Sequence, residues 1–101
     1  MSVAATDRRV AVIKALAHPT RLRLAEALSR GPHCVSDLQA LVGSDISTVS
    51  KHLSLMRKAG WLECRKDGLH IHYRLACDCL GDFLRCVDTL AEGGACHSDQ
   101  C

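Results

Sequence analysis

Three observations predict a mainly α-helical domain carrying one small β-hairpin. Apolar residues recur at helical spacing through most of the first 59 positions. A strict apolar–polar alternation replaces that spacing over residues 69–75, just after an Asp-Gly pair. Helical spacing then returns from Asp78 onward. With 101 residues the chain is one domain, and its 48% hydrophobic and 24% charged residues are the balance of a soluble globular protein. No apolar run approaches the roughly 20 residues of a membrane span. The N-terminus lacks the long apolar core of a secretory signal, so a cytoplasmic location and no membrane partner are expected.

Val10, Ile13, Leu16 and Ala17 mark a first helix, and Leu22, Leu24, Ala25 and Leu28 a second. Pro19 fits the first turn of the second helix, where a missing N–H costs nothing. The stretch "RGPH" at residues 30–33 ends it. "VSDLQALVG" predicts a short third helix, with Ser36 as its N-cap and Gly43 as its left-handed stop. A fourth helix restarts at Ile46 and runs to about Ala59. Its apolar positions Ile46, Val49, Leu53 and Met56 are spaced by three, four and three. Ser47, Thr48, Ser50, Lys51, His52, Arg57 and Lys58 occupy the other face. A short helix, a Gly-containing turn and a longer basic helix form a helix-turn-helix. "WLECRK" and "LHIHYRL" then read as strands joined at "DG", with Leu69, Ile71, Tyr73 and Leu75 on one face and His70, His72 and Arg74 on the other. A hairpin directly after such a helix is a wing. Leu80, Phe83, Leu84, Val87 and Leu90 complete a fifth, amphipathic helix that "EGG" ends. The expected organisation is therefore a winged helix-turn-helix domain over residues 1–92 and a cysteine-containing tail over 93–101.

The net charge of +2 is unevenly placed. Residues 47–76 carry six basic groups against Glu63 and Asp67, a net +4, whereas residues 77–101 carry Arg85 against five acids, a net −4. A basic middle faces a polyanion. Ser47, Thr48, Ser50, Lys51 and His52 can meet phosphates and base edges in a major groove, and Arg65, Lys66 and His70 near the hairpin tip the backbone or minor groove. The plain alternative is a solvated polar face, which leaves the conjunction of spacing, turn and wing without a purpose. With three aromatic residues in the chain, modes of single-strand or RNA binding that depend on base stacking are disfavoured. The partner expected is double-stranded DNA.

Seven cysteines, an odd number, exclude a fully paired disulfide framework, and a cytosolic setting keeps thiols reduced. Cys34, Cys64 and Cys86 have core-like spacings and read as packing. Cys96 and Cys101 lie in a polar tail with no core to fill, so packing gives no account of them.

The stretches "ALAHPTRLRLAEAL", "CVSDLQALVG", "STVSKHLSLMRKAGWLE" and "RKDGLHIHYRL" resemble, in order and spacing, the ArsR/SmtB winged-helix repressors across about residues 10–92. The resemblance implies a homodimer paired through its first and last helices. It implies operator binding without inducer and release when a metal or metalloid binds. It also places the recognition-helix contacts on Ser47, Thr48, Ser50, Lys51 and His52. Many arsenic-responsive members carry two cysteines one residue apart at the start of the third helix. Here Cys34 matches the first and Ser36 stands at the second, so that pair is incomplete. Zinc-responsive members use two ligands at the start of the last helix, matched here by Cys77 and Cys79, completed from the far end of that helix on the other subunit. Cys96, His97 and Cys101 lie just beyond the matching far end.

Cys79 and Cys96 are 17 residues apart, roughly 25 Å along a helix, so the two ends meet only across an antiparallel pair of chains. Cys77, Cys79, Cys96 and Cys101 are the expected metal ligands. A pyramidal three-thiolate site suits As(III) or Sb(III) as inducer, while Zn(II) or Cd(II) also take thiolates, and His97 offers zinc a mixed set. Thiol oxidation or persulfidation, with Cys96 and Cys101 closing a ring, is a third route to release. A thiol metal carrier without DNA coupling is the competing class, and it leaves the basic helix and wing unexplained. Neither a C-x-x-C, a nucleophile elbow nor a phosphate loop is present. Ser50 and His52 stand on different helical azimuths, so neither an enzyme nor a small organic substrate is expected.

Overall fold

The structure, a computed structural model, describes residues 3–93. Its elements run α1 (Val3–Lys14), α2 (Pro19–Leu28), β1 (His33–Cys34), α3 (Val35–Val42), α4 (Ile46–Lys58), β2 (Leu62–Asp67), β3 (His70–Leu75) and α5 (Cys79–Ala91). This is the expected mainly helical winged helix-turn-helix with five helices. The hairpin gains a third strand, because β1 pairs antiparallel with β3 to give the order β1-β3-β2.

Helix α2 begins where Pro19 predicts. His18, held extended as residues before proline are, turns its Nδ1 to accept from the Thr20 N–H at 3.1 Å. Gly43 ends α3 at φ +73, the left-handed conformation that glycine adopts without a Cβ clash. Ser36 is not the N-cap. Cys34 holds that position without a side-chain cap bond, and Ser36 lies inside the helix with its hydroxyl 3.2 Å from the Cys34 sulfur. The two-residue strand β1 fixes the backbone of Cys34 and so starts α3 two residues earlier than the serine suggests. In the hairpin the turn is Gly68–Leu69, with Asp67 still paired to His70. Gly68 has φ +62, the left-handed value required at the first central position of this two-residue turn. Leu69 therefore leaves the alternating apolar face and stands 100% exposed at the wing tip.

The core gathers the inner faces of α2, α3 and α4 under one residue of α5. Leu24, Leu38, Val49, Leu53 and Met56 are the fully buried large side chains, closed by Trp61, Leu62 and Leu84. Val49, Leu53 and Met56, three of the four positions whose spacing predicted α4, pin it against α2 and α3, while the fourth, Ile46 in the first turn, is 51% exposed. Helix α1 has no buried residue in the single chain. Its Val10 and Ile13 are exposed, and Leu16, grouped with them by spacing, is buried but lies beyond the helix end. Helix α5 likewise leaves Phe83 and Leu90 exposed at 45% and 68%. The first and last helices thus each carry an uncovered apolar stripe. No helix among the described residues is long and apolar enough to cross a membrane.

Candidate nucleic-acid interface and thiol pair

Asp45 caps α4 and organises its first turn. Its carboxylate accepts from the Ser47 hydroxyl at 2.6 Å, from the Thr48 hydroxyl at 2.6 Å and from the Thr48 N–H at 3.3 Å. Those bonds, the Ser47 hydroxyl first, hold the Asp45 carboxyl down at about 2. A hydroxyl has one proton to give, so Ser47 and Thr48 present lone pairs outward. They can accept from a base amino group, whereas a phosphate needs a donor. The donors left facing solvent are Ser50 and Lys51, both exposed on the same helix. Sequence spacing placed all four on one face, but it did not show that two of the protons point inward. The signal was present as an Asp followed two and three residues later by Ser and Thr.

Because the Asp45 value lies below its ordinary 3.8, its contribution to stability is complete above that value and is lost as pH falls toward about 2. Asp45→Ala therefore lowers the melting temperature at pH 7, read by circular dichroism. Its deficit relative to the parent shrinks between pH 4 and pH 2. An equal deficit across that range would show that the cap is not the source.

His52 is half-buried, with its ring 4.6 Å from His18. Burial first, then the charges of His18 and Arg21, lower its pKa, so the imidazole is neutral at neutral pH and offers one donor and one acceptor. In the wing, Arg65 sits opposite His72 and Lys66 opposite Ile71. Successive strand residues point to opposite faces, so the two cations straddle the wing edge and do not line one wall. Arg65 shares its face with His70, His72 and Arg74, and Arg74 pairs with Glu63 at 2.7 Å.

The thiol pair stands at the other end of the wing. β3 ends at Leu75, Asp78 caps α5, and Cys77 and Cys79 flank that cap with their sulfurs 2.7 Å apart. Both are exposed, and Cys77 edges an open cleft of about 710 Å³ whose lining mixes Arg30, Arg74 and Arg85 with Asp78 and Asp82. Hydrogen bonding to Cys77, then slight burial and the Cys77 charge, push the Cys79 thiol up. A second thiolate beside the first is unfavourable until a cation joins them. Two sulfurs on one tetrahedral ion at about 2.3 Å stand roughly 3.8 Å apart, so this pair would have to open by about 1 Å to hold one. Among the described residues no group of three or more His, Cys, Asp or Glu is placed to hold an ion. The described residues thus fit two ligands of a soft-ion site. Cys96, Cys101 and His97 lie outside the described residues.

Two cysteines read as packing are not buried in the single chain. Cys64 is exposed although it shares a strand face with buried Leu62, because the sheet runs out past the helical layer that covers Leu62. Cys86 is exposed on the uncovered stripe of α5, and Cys34 is only half-buried under β3. Sequence reasoning also missed Trp61, whose indole Nε1 donates to the Val12 carbonyl at 2.7 Å, because nothing in a linear pattern marks a contact across 49 positions.

The family model of bacterial regulatory proteins of the arsR family matches residues 18–63, from the α2 cap to the first residues of β2. The chain is 30% identical over 95 residues to a probable mercury resistance operon repressor of Streptomyces lividans, covering 94% of this chain and 76% of that protein. It is 40% identical over 68 residues to the arsenical resistance operon repressor of Escherichia coli K12, covering 66% and 58%. A homodimeric winged helix-turn-helix DNA-binding domain from Mycobacterium bovis, a possible ArsR-family transcriptional regulator, superposes with TM-score 0.83 at 27% identity, covering 91% of this chain and 88% of that one. The chain spans 57%, 58%, 42% and 58% of the first four curated relatives it matches. On its motifs, its fold and these matches, the chain belongs to the ArsR/SmtB family of winged helix-turn-helix bacterial regulators.

Proposed function

We propose that the protein is a homodimeric, cytoplasmic transcriptional repressor. It binds double-stranded operator DNA through α4 and the wing, and lets go when As(III) or Sb(III) binds cysteine thiolates. The convergence of the Cys77 and Cys79 sulfurs at 2.7 Å, at the head of a helix with an uncovered apolar stripe, carries this reading. Pairing α1 and α5 with those of a second copy covers the exposed Ile13, Phe83 and Leu90 and brings a second chain to the thiols. In this reading residues 1–92 are the DNA-binding and dimerisation domain. Residues 93–101 form the tail that supplies Cys96 and Cys101 as further thiolates. Ser50, Lys51 and His52 contact the major groove, with Ser47 and Thr48 accepting from base amino groups. Arg65 and Lys66 flank the wing tip on the backbone.

Relatives named for arsenical, cadmium and mercury resistance support a thiophilic effector. They also make Cd(II) or Zn(II) at the same thiols the second reading. Ion binding favours a dimer geometry whose reading helices no longer match successive grooves, and a coupling of about 2–4 kcal/mol weakens operator binding by about 30- to 1000-fold. The test is operator binding by fluorescence anisotropy, under reducing conditions, with arsenite, Cd(II) or Zn(II) added in turn. Release by arsenite alone supports the first reading and release by Cd(II) or Zn(II) alone the second. Release by oxidant alone overturns both in favour of thiol chemistry. Tight ion binding with no change at the operator makes the protein a carrier.

A further inference from the structure

We propose that Trp61 is the positioning residue through which the thiol pair and the DNA-reading helix act on each other, an inference that rests on reading Cys77 and Cys79 as the ion-binding pair. Trp61 is the chain's one tryptophan, 3% exposed, in the short link between α4 and β2. Four contacts join it to four separate places. Its backbone N–H donates to the Met56 carbonyl at 3.0 Å, closing the end of α4. Its carbonyl accepts from the Ala76 N–H at 2.9 Å. Its ring lies 5.9 Å from that of Phe83 in α5. Its indole N–H reaches the Val12 carbonyl in α1.

Two of these contacts lead directly to the thiols. Ala76 is the residue before Cys77, so the main-chain bond fixes one side of the pair. Phe83 stands four residues after Cys79 on α5, one turn along the same face, so the ring contact fixes the other. The remaining two lead away from the thiols, to the fully buried Met56 that anchors α4 and to α1. The bond to α1 fills a specific gap. Ala15, Leu16 and Ala17 donate to the carbonyls of Ala11, Ile13 and Lys14 as the helix tightens at its end, and the Val12 carbonyl is the one skipped. The last carbonyls of a helix need partners from outside it, and the indole supplies this one. An indole combines a broad apolar ring with a single donor at its edge, and phenylalanine supplies only the ring. A shift at the Ala76–Cys77 corner or in the first turn of α5 therefore reaches α1 and α4 together through one rigid group.

Trp61→Phe keeps the ring and deletes the donor. Operator affinity without ion and arsenite affinity without DNA are each expected to stay within about threefold of the parent. The ratio of operator affinities without and with arsenite is expected to fall by at least about tenfold. A purely structural role would lower both basal affinities together and leave that ratio unchanged, and an unchanged ratio overturns the proposal. Should the variant unfold, the unmodified dimer still decides. Excited at the red edge, where Tyr73 does not absorb, its emission comes from Trp61 alone, so saturating arsenite must change the emission maximum or intensity without DNA, and must not do so in a Cys77→Ser/Cys79→Ser protein. Emission that ignores arsenite while the ion still releases the operator sinks the relay. A parent protein that arsenite does not release refutes instead the functional reading beneath it.

Discussion

Replacing Cys77 and Cys79 together by serine abolishes ion-driven release while leaving operator affinity without ion within about twofold. Both side chains are exposed at the head of α5, and neither belongs to the core, so the substitution removes two sulfurs and little packing. A hydroxyl is a poor ligand for a soft ion, so the change of about 30- to 1000-fold in operator affinity collapses toward one. The same experiment carries a pH signature. The Cys79 pKa is raised, so at neutral pH that thiol holds its proton, which an incoming Cd(II) or Zn(II) must expel and which arsenite carries off with its own hydroxide as water. The affinity for Cd(II) or Zn(II) therefore rises with pH, by about tenfold per unit for each proton displaced, until the thiol ionises by itself, whereas arsenite, entering as As(OH)3, gives up one hydroxide as water for each thiol it binds and shows no such slope. Titrations from pH 6 to pH 8 on the parent show that slope with Cd(II) or Zn(II) and none with arsenite, and the double variant lacks it. Release that survives in the double variant would move the site to the remaining thiols, either Cys96 and Cys101 alone or Cys34, Cys64 and Cys86, which are free among the described residues.

The helix-turn-helix was legible because its signals are local. Pro19 and Gly43 act through their own φ, and the apolar positions 46, 49, 53 and 56 need only the helical period to share a face. The parts that were not legible depend on contacts distant in sequence. A two-residue strand has no period to detect, so β1 appears only when β3 is there to pair with it. The apolar residues of α1 gave a helix but not what covers it, since an uncovered stripe has the same spacing as a buried one. Cys64 and Cys86 failed for a related reason. Alternation and heptad-like spacing report which side a residue is on, and they do not report whether anything covers that side. At the site, helical spacing put Ser47, Thr48, Ser50, Lys51 and His52 together, whereas the inward protons of Ser47 and Thr48 and the His18 ring against His52 follow from side-chain geometry. The Cys77–Cys79 pair was visible as two cysteines one residue apart. Its approach to 2.7 Å depends on the break between β3 and α5, which lets Cys77 fold back over the cap.

Leu53→Ala tests how far the reading helix depends on the core beneath it, and it carries the largest expected stability loss. Leu53 is 0% exposed in the middle of α4, on the face opposite Lys51, with Val49 and Met56, also 0% exposed, one turn to either side. Truncating a buried leucine removes its transfer free energy and leaves a cavity, together about 3 kcal/mol. A domain of this size holds only about 5–15 kcal/mol in total. At about 4–8 °C per kcal/mol, the melting temperature falls by about 12–24 °C. The control lies two residues further along the same helix. Leu55 is 44% exposed, so Leu55→Ala removes comparable side-chain volume without leaving a cavity, and its melting temperature stays within a few degrees of the parent. Melting of both variants must be compared at one protomer concentration, because a dimer's stability scales with it. Operator binding measured well below the melting transition then separates fold from contact. Leu53→Ala touches no DNA-facing atom, so any loss of affinity at low temperature reports a displaced α4. Equal losses of stability in the two variants would mean that α4 is not held from beneath in solution, and the donors on its outer face would then have no fixed register on a groove.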